Sequence, residues 1–249
     1  MYDAEIFFVD SQFGRVIEEL KKLNLYDNTI IIVIGDHGEG LGDHDWWTHR
    51  LLYQEDIRVP LLIHVPQGPR NKTISRLVRN IDIYPTIMDM IGVESPLGVD
   101  GRSLMPIING KADKPRVAYS DALNIYDHNS LFDCRRPKDA LIYSVIDYPW
   151  KLIYHDAYPD EHELYNLDND PHELTNLYDS KYEREIQHLI KTLMNYNSLQ
   201  KTPFHSVEEI DPEVVERLQS LGYAGGNKIN QKPIQEDESL EKEQSNSHK

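Results

Sequence analysis

The segment TIIIVIGDHGEGLGDHDWWTHR, residues 29–50, joins an apolar run directly to a cluster of histidines and aspartates. Its first six residues are β-branched and almost entirely apolar, which is typical of a strand buried on both faces. The sixteen residues that follow contain three histidines and three aspartates. Because ligands bind outside the carboxyl ends of the strands in open α/β sheets, this order predicts a polar binding site at the end of a buried strand.

Helices and buried strands alternate on either side of this segment. Residues 3–23 carry apolar side chains at three- and four-residue steps, which predicts an amphipathic helix. The run RVPLLIHVP, residues 58–66, predicts a second buried strand, and DIYPTIMDMIGV, residues 82–93, predicts another helix. Over residues 1–120 the sequence therefore predicts an α/β fold with a mainly parallel sheet flanked by helices.

The pattern changes after about residue 120. Three short apolar runs predict the strands of a small antiparallel sheet: ALIYSVID (140–147), WKLIYHDAY (150–158) and HELYNL (162–167). Two helices are expected after them, one over residues 180–197 and one over DPEVVERLQSLGY, 211–223. We therefore expect an antiparallel α+β subdomain over residues 121–225, followed by a disordered tail over 226–249 with few apolar residues.

Composition restricts the classes of function. The 249-residue chain has a net charge of −16, which argues against nucleic acid, because phosphate binding requires Lys and Arg. It argues equally against an anionic membrane surface. No apolar run approaches the ~20 residues that span a bilayer, so we expect no membrane span. The chain has one cysteine, Cys134, and no signal peptide is visible, so the cellular compartment stays open.

Asp36 and His37 are the first candidate metal ligands, because they follow the predicted strand and the turn at Gly35. A carboxylate oxygen and an imidazole nitrogen together suit Mn²⁺ or Zn²⁺ better than Ca²⁺. His49 lies twelve residues after His37, far enough for a loop to return it to the same place. The alternative for Asp36 and His37 is an ordinary Asp-His-Gly turn, and the alternative for nearby His44 is a solvated loop.

Six separated segments resemble, in the same order, the second half of a sulfatase, a member of the alkaline phosphatase superfamily. They are residues 2–44, 53–66, 82–93, 99–110 (VDGRSLMPIING), 163–177 (ELYNLDNDPHELTNL) and 217–223 (RLQSLGY). The resemblance implies an alkaline-phosphatase-like fold, incomplete in this chain. It also implies a sulfuric ester hydrolase that acts on a sulfate ester with a divalent cation, most commonly Ca²⁺.

The resemblance assigns roles to individual residues. It implies that Asp36 and His37 bind the active-site cation, and that His49 contacts the sulfate or phosphate group and assists the leaving oxygen. Calcium-dependent arylsulfatases usually have Asn where His37 stands. An Asp-His pair is instead frequent in bacterial sulfatases, phosphonate monoester hydrolases and phosphoethanolamine transferases.

Two parts of the family's active site have no counterpart in the sequence: an aspartate pair near the N-terminus and the C/S-x-P-x-R motif that yields the formylglycine nucleophile. Cys134 lies in CRRPK, which does not fit that motif. We therefore expect the C-terminal part of a larger enzyme, inactive alone. Two alternatives stay open: a phosphodiesterase, phosphonate monoester hydrolase or phosphoethanolamine transferase acting on a phosphate ester, and a non-catalytic remnant.

Overall fold

The chain begins with a 21-residue helix, α1 (Tyr2–Lys22), and continues through short strands and helices to a closing helix that ends at Leu199. The computed structural model describes residues 2–49, 51–122, 142–156 and 158–199. The helix expected over 211–223 and the tail expected over 226–249 lie outside these residues. None of the described helices is both long enough and apolar enough to cross a membrane.

Helix α1 carries an exposed apolar face. Acidic residues in its first turn and lysines in its last turn match the helix dipole. None of its described side chains is buried, and Phe7 and Phe8 are 75% and 63% exposed. Helices in proteins are stabilised chiefly by packing of an apolar face. The described residues leave the apolar face of α1 exposed.

The first strands form an antiparallel pair. Strand β1 (Ile31–Ile34) pairs with strand β4 (Leu61–His64), with Ile31 opposite His64 and Ile34 opposite Leu61. Every strand pair among the described residues runs antiparallel, so the predicted mainly parallel sheet is not found there. An apolar run indicates burial but not direction. Direction depends on the connection, and the described residues between 35 and 60 contain a hairpin, one turn of 3-10 helix and one short α-helix instead of a crossover helix along the sheet.

The expectation that β1 is buried on both faces is also wrong for the described structure, since all four of its residues are only partly buried. One face of the β1–β4 pair is covered: Leu61 and Ile63 pack against Leu104 and helix α4 (Met105–Ile108). Side chains alternate along a strand, so Leu62 points the other way and is 61% exposed. The predicted helix after β4 is present as α3 (Ile83–Met90).

A four-stranded antiparallel sheet dominates the second half. Its order is β5 (Val117–Ala122), β6 (Ile142–Asp147), β7 (Trp150–His155) and β8 (Glu163–Asn166). The three strands predicted from the sequence are therefore confirmed, and β5, which spans residue 120, is an additional edge strand. Helix α5 (Glu183–Leu199) covers one face of the sheet, as its apolar periodicity predicted; Ile186, Leu189 and Leu193 pack on Val145, Leu152 and Leu164.

The opposite face of this sheet supports the loop that follows the candidate site. Trp46, Leu51, Leu52 and Tyr53 form one buried cluster with Ile142, Ile153 and Tyr165 of the sheet. The loop is thereby packed onto a rigid surface, although residues 43–54 contain little regular structure. The sheet of the second half thus positions residues of the first half.

Candidate functional site

A short hairpin organises the candidate site. Strand β2 (Gly40–Leu41) pairs antiparallel with strand β3 (Trp47–Thr48), and Gly40 lies opposite Thr48. Glu39 directly precedes one strand and His49 directly follows the other, so the hairpin brings their side chains together at its open end. His49 Nδ1 lies 3.1 Å from Glu39 Oε2.

Asp36 and His37 follow β1, as the sequence predicted. The His37 backbone N–H donates to Asp36 Oδ1 at 2.9 Å, and His37 Nε2 lies 3.9 Å from Asp36 Oδ2. Asp36 is exposed, and the hydrogen bond from the His37 backbone, together with the nearby His37 ring, lowers the pKa of its carboxyl group. Asp36 therefore presents an ionised carboxylate beside an imidazole.

The His37 ring, at the end of β1, lies against the His49 ring, at the end of the hairpin. The ring centroids of His37 and His49 lie 3.9 Å apart, with planes inclined by 32°. Asp36, His37 and His49 thus lie in one group, and Glu39 joins them. The sequence had not singled out Glu39. Its position two residues after His37 was the available signal, because side chains two apart point the same way in extended backbone.

His44 does not join this group. Its Nδ1 contacts the Glu55 carboxylate, its Nε2 lies 3.0 Å from the Glu173 carbonyl oxygen, and its ring stacks on Tyr53 with centroids 3.7 Å apart. Both alternatives that the sequence left open, a metal ligand and a solvated loop, are therefore replaced by a packed structural histidine. Its backbone is left-handed, with φ of 52°, and it lies in the turn between strands β2 and β3.

Glu173 contacts both ends of the loop that carries His49, at His44 and at Gln54. Besides contacting His44 through its carbonyl group, it accepts a hydrogen bond from the Gln54 backbone N–H at 2.6 Å. Its other carboxylate oxygen lies 2.5 Å from the Nζ atom of Lys151 on β7. Lys151 and Glu173 are both fully buried. Neither residue was identified from the sequence, because a lysine within an apolar strand gives no signal of its partner.

The short helix α2 (Gln54–Ile57) follows this loop and contacts the backbone next to His37. The Gly38 N–H donates to the Asp56 carbonyl oxygen at 2.7 Å. A Cβ atom on Gly38 would lie 1.8 Å from the Glu55 carbonyl oxygen, so only glycine fits this close approach. The backbone beside His37 is therefore fixed by α2.

We expect the stability that His44 contributes to fall as the pH rises. Burial lowers the pKa of His44, but the Glu173 carbonyl and the Glu55 carboxylate outweigh it, so the pKa is raised above 6.5. The contribution is then fully present below pH 6.5 and is lost as the pH rises through the raised value. Thermal unfolding of the natural chain and of His44→Gln between pH 5.5 and 9 tests this. The gap in melting temperature should narrow with rising pH; a constant or widening gap would contradict it.

Comparisons with curated proteins identify relatives. Residues 42–200 match a protein family that is described as N-sulphoglucosamine sulphohydrolase, C-terminal. N-acetylglucosamine-6-O-sulfatase from Bacteroides thetaiotaomicron is 31% identical over 199 residues, which cover 76% of this chain and 34% of the relative. The chain thus spans about a third of the length of this curated relative.

Solved structures share the fold. A protein in complex with its substrate, D-glucosamine-2-N,6-O-disulfate, matches with a TM-score of 0.66 and 30% identity, covering 78% of this chain and 39% of that one. Phosphonate monoester hydrolase from Silicibacter pomeroyi matches with a TM-score of 0.66 and 28% identity, covering 82% and 42% respectively. Since the matched C-terminal region extends over more than half of the sequence, and the 31%-identical relative covers 76% of it, the chain belongs to the sulfatase family.

Proposed function

We propose that this chain contributes part of the active site of a sulfuric ester hydrolase, in which Asp36 and His37 hold a divalent cation and His49 contacts the ester. The observation that carries the proposal is the convergence of these three side chains at the end of β1. A bound cation would neutralise charge that develops on the sulfate oxygens. The same residues are the ones for which the family resemblance implies these roles.

Asp36 and His37 offer donors of different character. The ionised Asp36 carboxylate suits Ca²⁺, which prefers oxygen ligands. The His37 imidazole suits Mn²⁺ or Zn²⁺ better. Ca²⁺ remains our first choice from the family, and His37 keeps Mn²⁺ and Zn²⁺ as alternatives.

His49 has a partner that supports a role in proton transfer. Its Nδ1 is engaged by Glu39, at 3.1 Å. A carboxylate in this position fixes the ring by accepting the Nδ1–H, which leaves Nε2 facing the departing oxygen of the ester, where the imidazolium form could donate a proton. Glu39 is therefore proposed as the residue that positions His49.

A phosphorus ester is the second candidate substrate. The likeness to phosphonate monoester hydrolase from Silicibacter pomeroyi favours it, as does the histidine at position 37, which is frequent in that class. Sulfate and phosphonate groups present similar oxygens to a cation and an imidazole, so the described residues serve either substrate. The two candidates differ in their expected turnover of an aryl sulfate and an aryl phosphonate.

We expect no useful hydrolysis from the 249-residue chain alone. Two protein ligands leave most coordination positions of a cation to water, so the ion binds weakly. Nucleophilic catalysis also requires an activated group held within reach of the reacting atom, and the sequence contains no C/S-x-P-x-R motif to supply formylglycine.

The test combines ion binding with turnover. The purified chain would be titrated with Ca²⁺ and with Mn²⁺ by calorimetry, while Mn²⁺-induced broadening of NMR signals locates the ion. We expect weak binding that broadens the Asp36 and His37 signals, is abolished by Asp36→Ala, and is unchanged by Asp27→Ala, which removes an exposed carboxylate elsewhere. An ion located away from these residues would contradict the proposed cation site. Turnover of aryl sulfate that Asp36→Ala abolishes would support the function but contradict the expected inactivity.

A further inference from the structure

We propose that His37, Glu39 and His49 form a Zn²⁺ site, which shares His37 with the Asp36–His37 cation site and uses Glu39 and His49 in place of Asp36. One ligand atom from each of the three side chains lies within 4.8 Å of the other two, a cluster found among the described residues. The zinc site does not depend on the proposed hydrolytic function, although both use His37.

One pair of the three donors already lies close to the spacing that zinc requires. Zinc bonds to nitrogen and carboxylate oxygen are about 2.0–2.2 Å long, so tetrahedral ligand atoms lie roughly 3.4 Å from one another. Glu39 Oε2 and His49 Nδ1 are already 3.1 Å apart. The His37 and His49 rings lie with centroids 3.9 Å apart and planes inclined by 32°, so the two half-exposed rings must turn relative to each other for their in-plane lone pairs to meet at one ion.

The hydrogen bond between His37 Nδ1 and the Gly38 carbonyl oxygen leaves the other ring nitrogen, Nε2, able to bind a metal ion. His37 Nδ1 lies 2.8 Å from the Gly38 carbonyl oxygen, which can only accept, so Nδ1 carries the proton. The lone pair is then on Nε2, on the side of the ring away from Gly38. A backbone carbonyl that fixes the free nitrogen of a histidine is a common feature of zinc ligands, because it sets both the tautomer and the ring orientation.

The backbone around the three ligands is held on both sides. Gly40 pairs with Thr48 across the hairpin, which places Glu39 and His49 next to each other. Thr48 has a φ of 93°, a left-handed conformation that a β-branched residue rarely adopts. This conformation immediately precedes His49 in the chain. The backbone positions of Glu39 and His49 are therefore set by the hairpin in the absence of an ion.

The donor set selects zinc over calcium. Two imidazoles and one carboxylate, with an open fourth position, are the ligands of a common class of catalytic zinc sites. Calcium takes six to eight oxygen ligands, and this group supplies only one carboxylate. Zinc bound here would engage His37 and His49 together, so it would prevent His49 from contacting an ester.

The decisive experiment uses Co²⁺ as a visible probe and Zn²⁺ as its competitor on the 249-residue chain. We expect one Co²⁺ per chain, with the intense absorption bands of four-coordinate cobalt, and full displacement by one equivalent of Zn²⁺. Glu39→Gln and His49→Gln should each weaken Zn²⁺ binding at least tenfold. Asp36→Asn should weaken it less than either of these substitutions, because Asp36 Oδ2 lies 3.9 Å from His37 Nε2 and contributes charge without being one of the three donors. His188→Ala is the matched control, because His188 also pairs with a carboxylate, that of Asp147, on the surface.

Each other outcome has a defined meaning. Unchanged Zn²⁺ affinity in both Glu39→Gln and His49→Gln, with circular dichroism confirming that the variants are folded, would overturn the zinc site. Loss of Zn²⁺ binding in Asp36→Asn alone would overturn it as well, and would assign the ion to the Asp36–His37 pair. If one variant fails to fold, the other decides, since the two ligands lie on opposite strand ends of the hairpin. Failure of Ca²⁺ or Mn²⁺ to bind would not affect this result.

Discussion

Lys151→Met is expected to lower the free energy of unfolding by about 3–5 kcal/mol, because it leaves the buried Glu173 carboxylate without its partner. The two side chains are fully buried, with Nζ and Oε1 2.5 Å apart. Burial lowers the pKa of Lys151 and raises that of Glu173, so each charge depends on the other. Urea unfolding monitored by circular dichroism measures the loss.

A second variant separates the pair from simple loss of packing. In Lys151→Met/Glu173→Gln, both charges are removed, while the amide oxygen still accepts the Gln54 N–H that Glu173 holds at 2.6 Å. The double variant should recover most of the lost stability, since a neutral replacement of a buried ion pair is often harmless. A single variant that loses less than about 1 kcal/mol, or a double variant that loses as much as the single one, would contradict the expectation.

The same pair has a consequence for the candidate site. Glu173 contacts His44 and Gln54, which lie on either side of His49 along the chain. Removing Lys151 should therefore increase amide hydrogen exchange at Gln54 more than in helix α5. Equal changes in exchange at Gln54 and in helix α5 would contradict a link between the buried pair and the loop.

Much of the fold could be predicted because its elements carry strong local patterns. The apolar periodicity of α5 and the three runs that became β6, β7 and β8 each satisfy the geometry of one element. The direction of β1 against β4 could not be predicted in the same way, because it depends on how residues 35–60 are arranged. Local pattern identifies an element, while the connection determines its pairing.

The residues of the candidate site also fall into those that local sequence pattern predicts and those that only tertiary contacts bring together. The proximity of Asp36, His37 and His49 was expected from a strand end and from the family resemblance. Glu39 has one local signal, its position two residues after His37, but its contact with His49 depends on the hairpin, whose turn contains left-handed residues such as His44. Lys151 and Glu173 lie 22 positions apart in sequence, and their pairing follows from packing of the sheet against the loop. A contact of this kind is a tertiary property without a local sequence signal.

Asp82→Ala is the second substitution with a large expected effect, and it concerns the other part of the fold. Asp82 is fully buried, and its carboxylate accepts hydrogen bonds from the backbone N–H groups of Arg79 and Arg102, at 3.0 and 2.9 Å. Arg79 Nη2 and Arg116 Nε lie 2.8 and 3.0 Å from its oxygens. One carboxylate therefore joins the segment before α3, the segment before α4 and the start of β5.

Removing this carboxylate leaves two backbone donors without their acceptor and takes one acceptor from each guanidinium group; Arg116 is itself buried and keeps only the Asp113 carboxylate and the Ser103 carbonyl oxygen among the described contacts. We expect a loss of about 3–5 kcal/mol in the free energy of unfolding, measured by urea titration. Asp89→Ala is the matched control on α3, because its exposed carboxylate accepts only the Ser103 hydroxyl among the described contacts; it should cost about 1 kcal/mol. Equal losses in the two variants would mean that the buried network stabilises no more than a surface hydrogen bond.

Because Asp82 contacts neither the hairpin nor Glu173 in the described structure, Asp82→Ala should still bind Zn²⁺ under conditions in which the chain is folded. Lys151→Met, in contrast, should weaken Zn²⁺ binding.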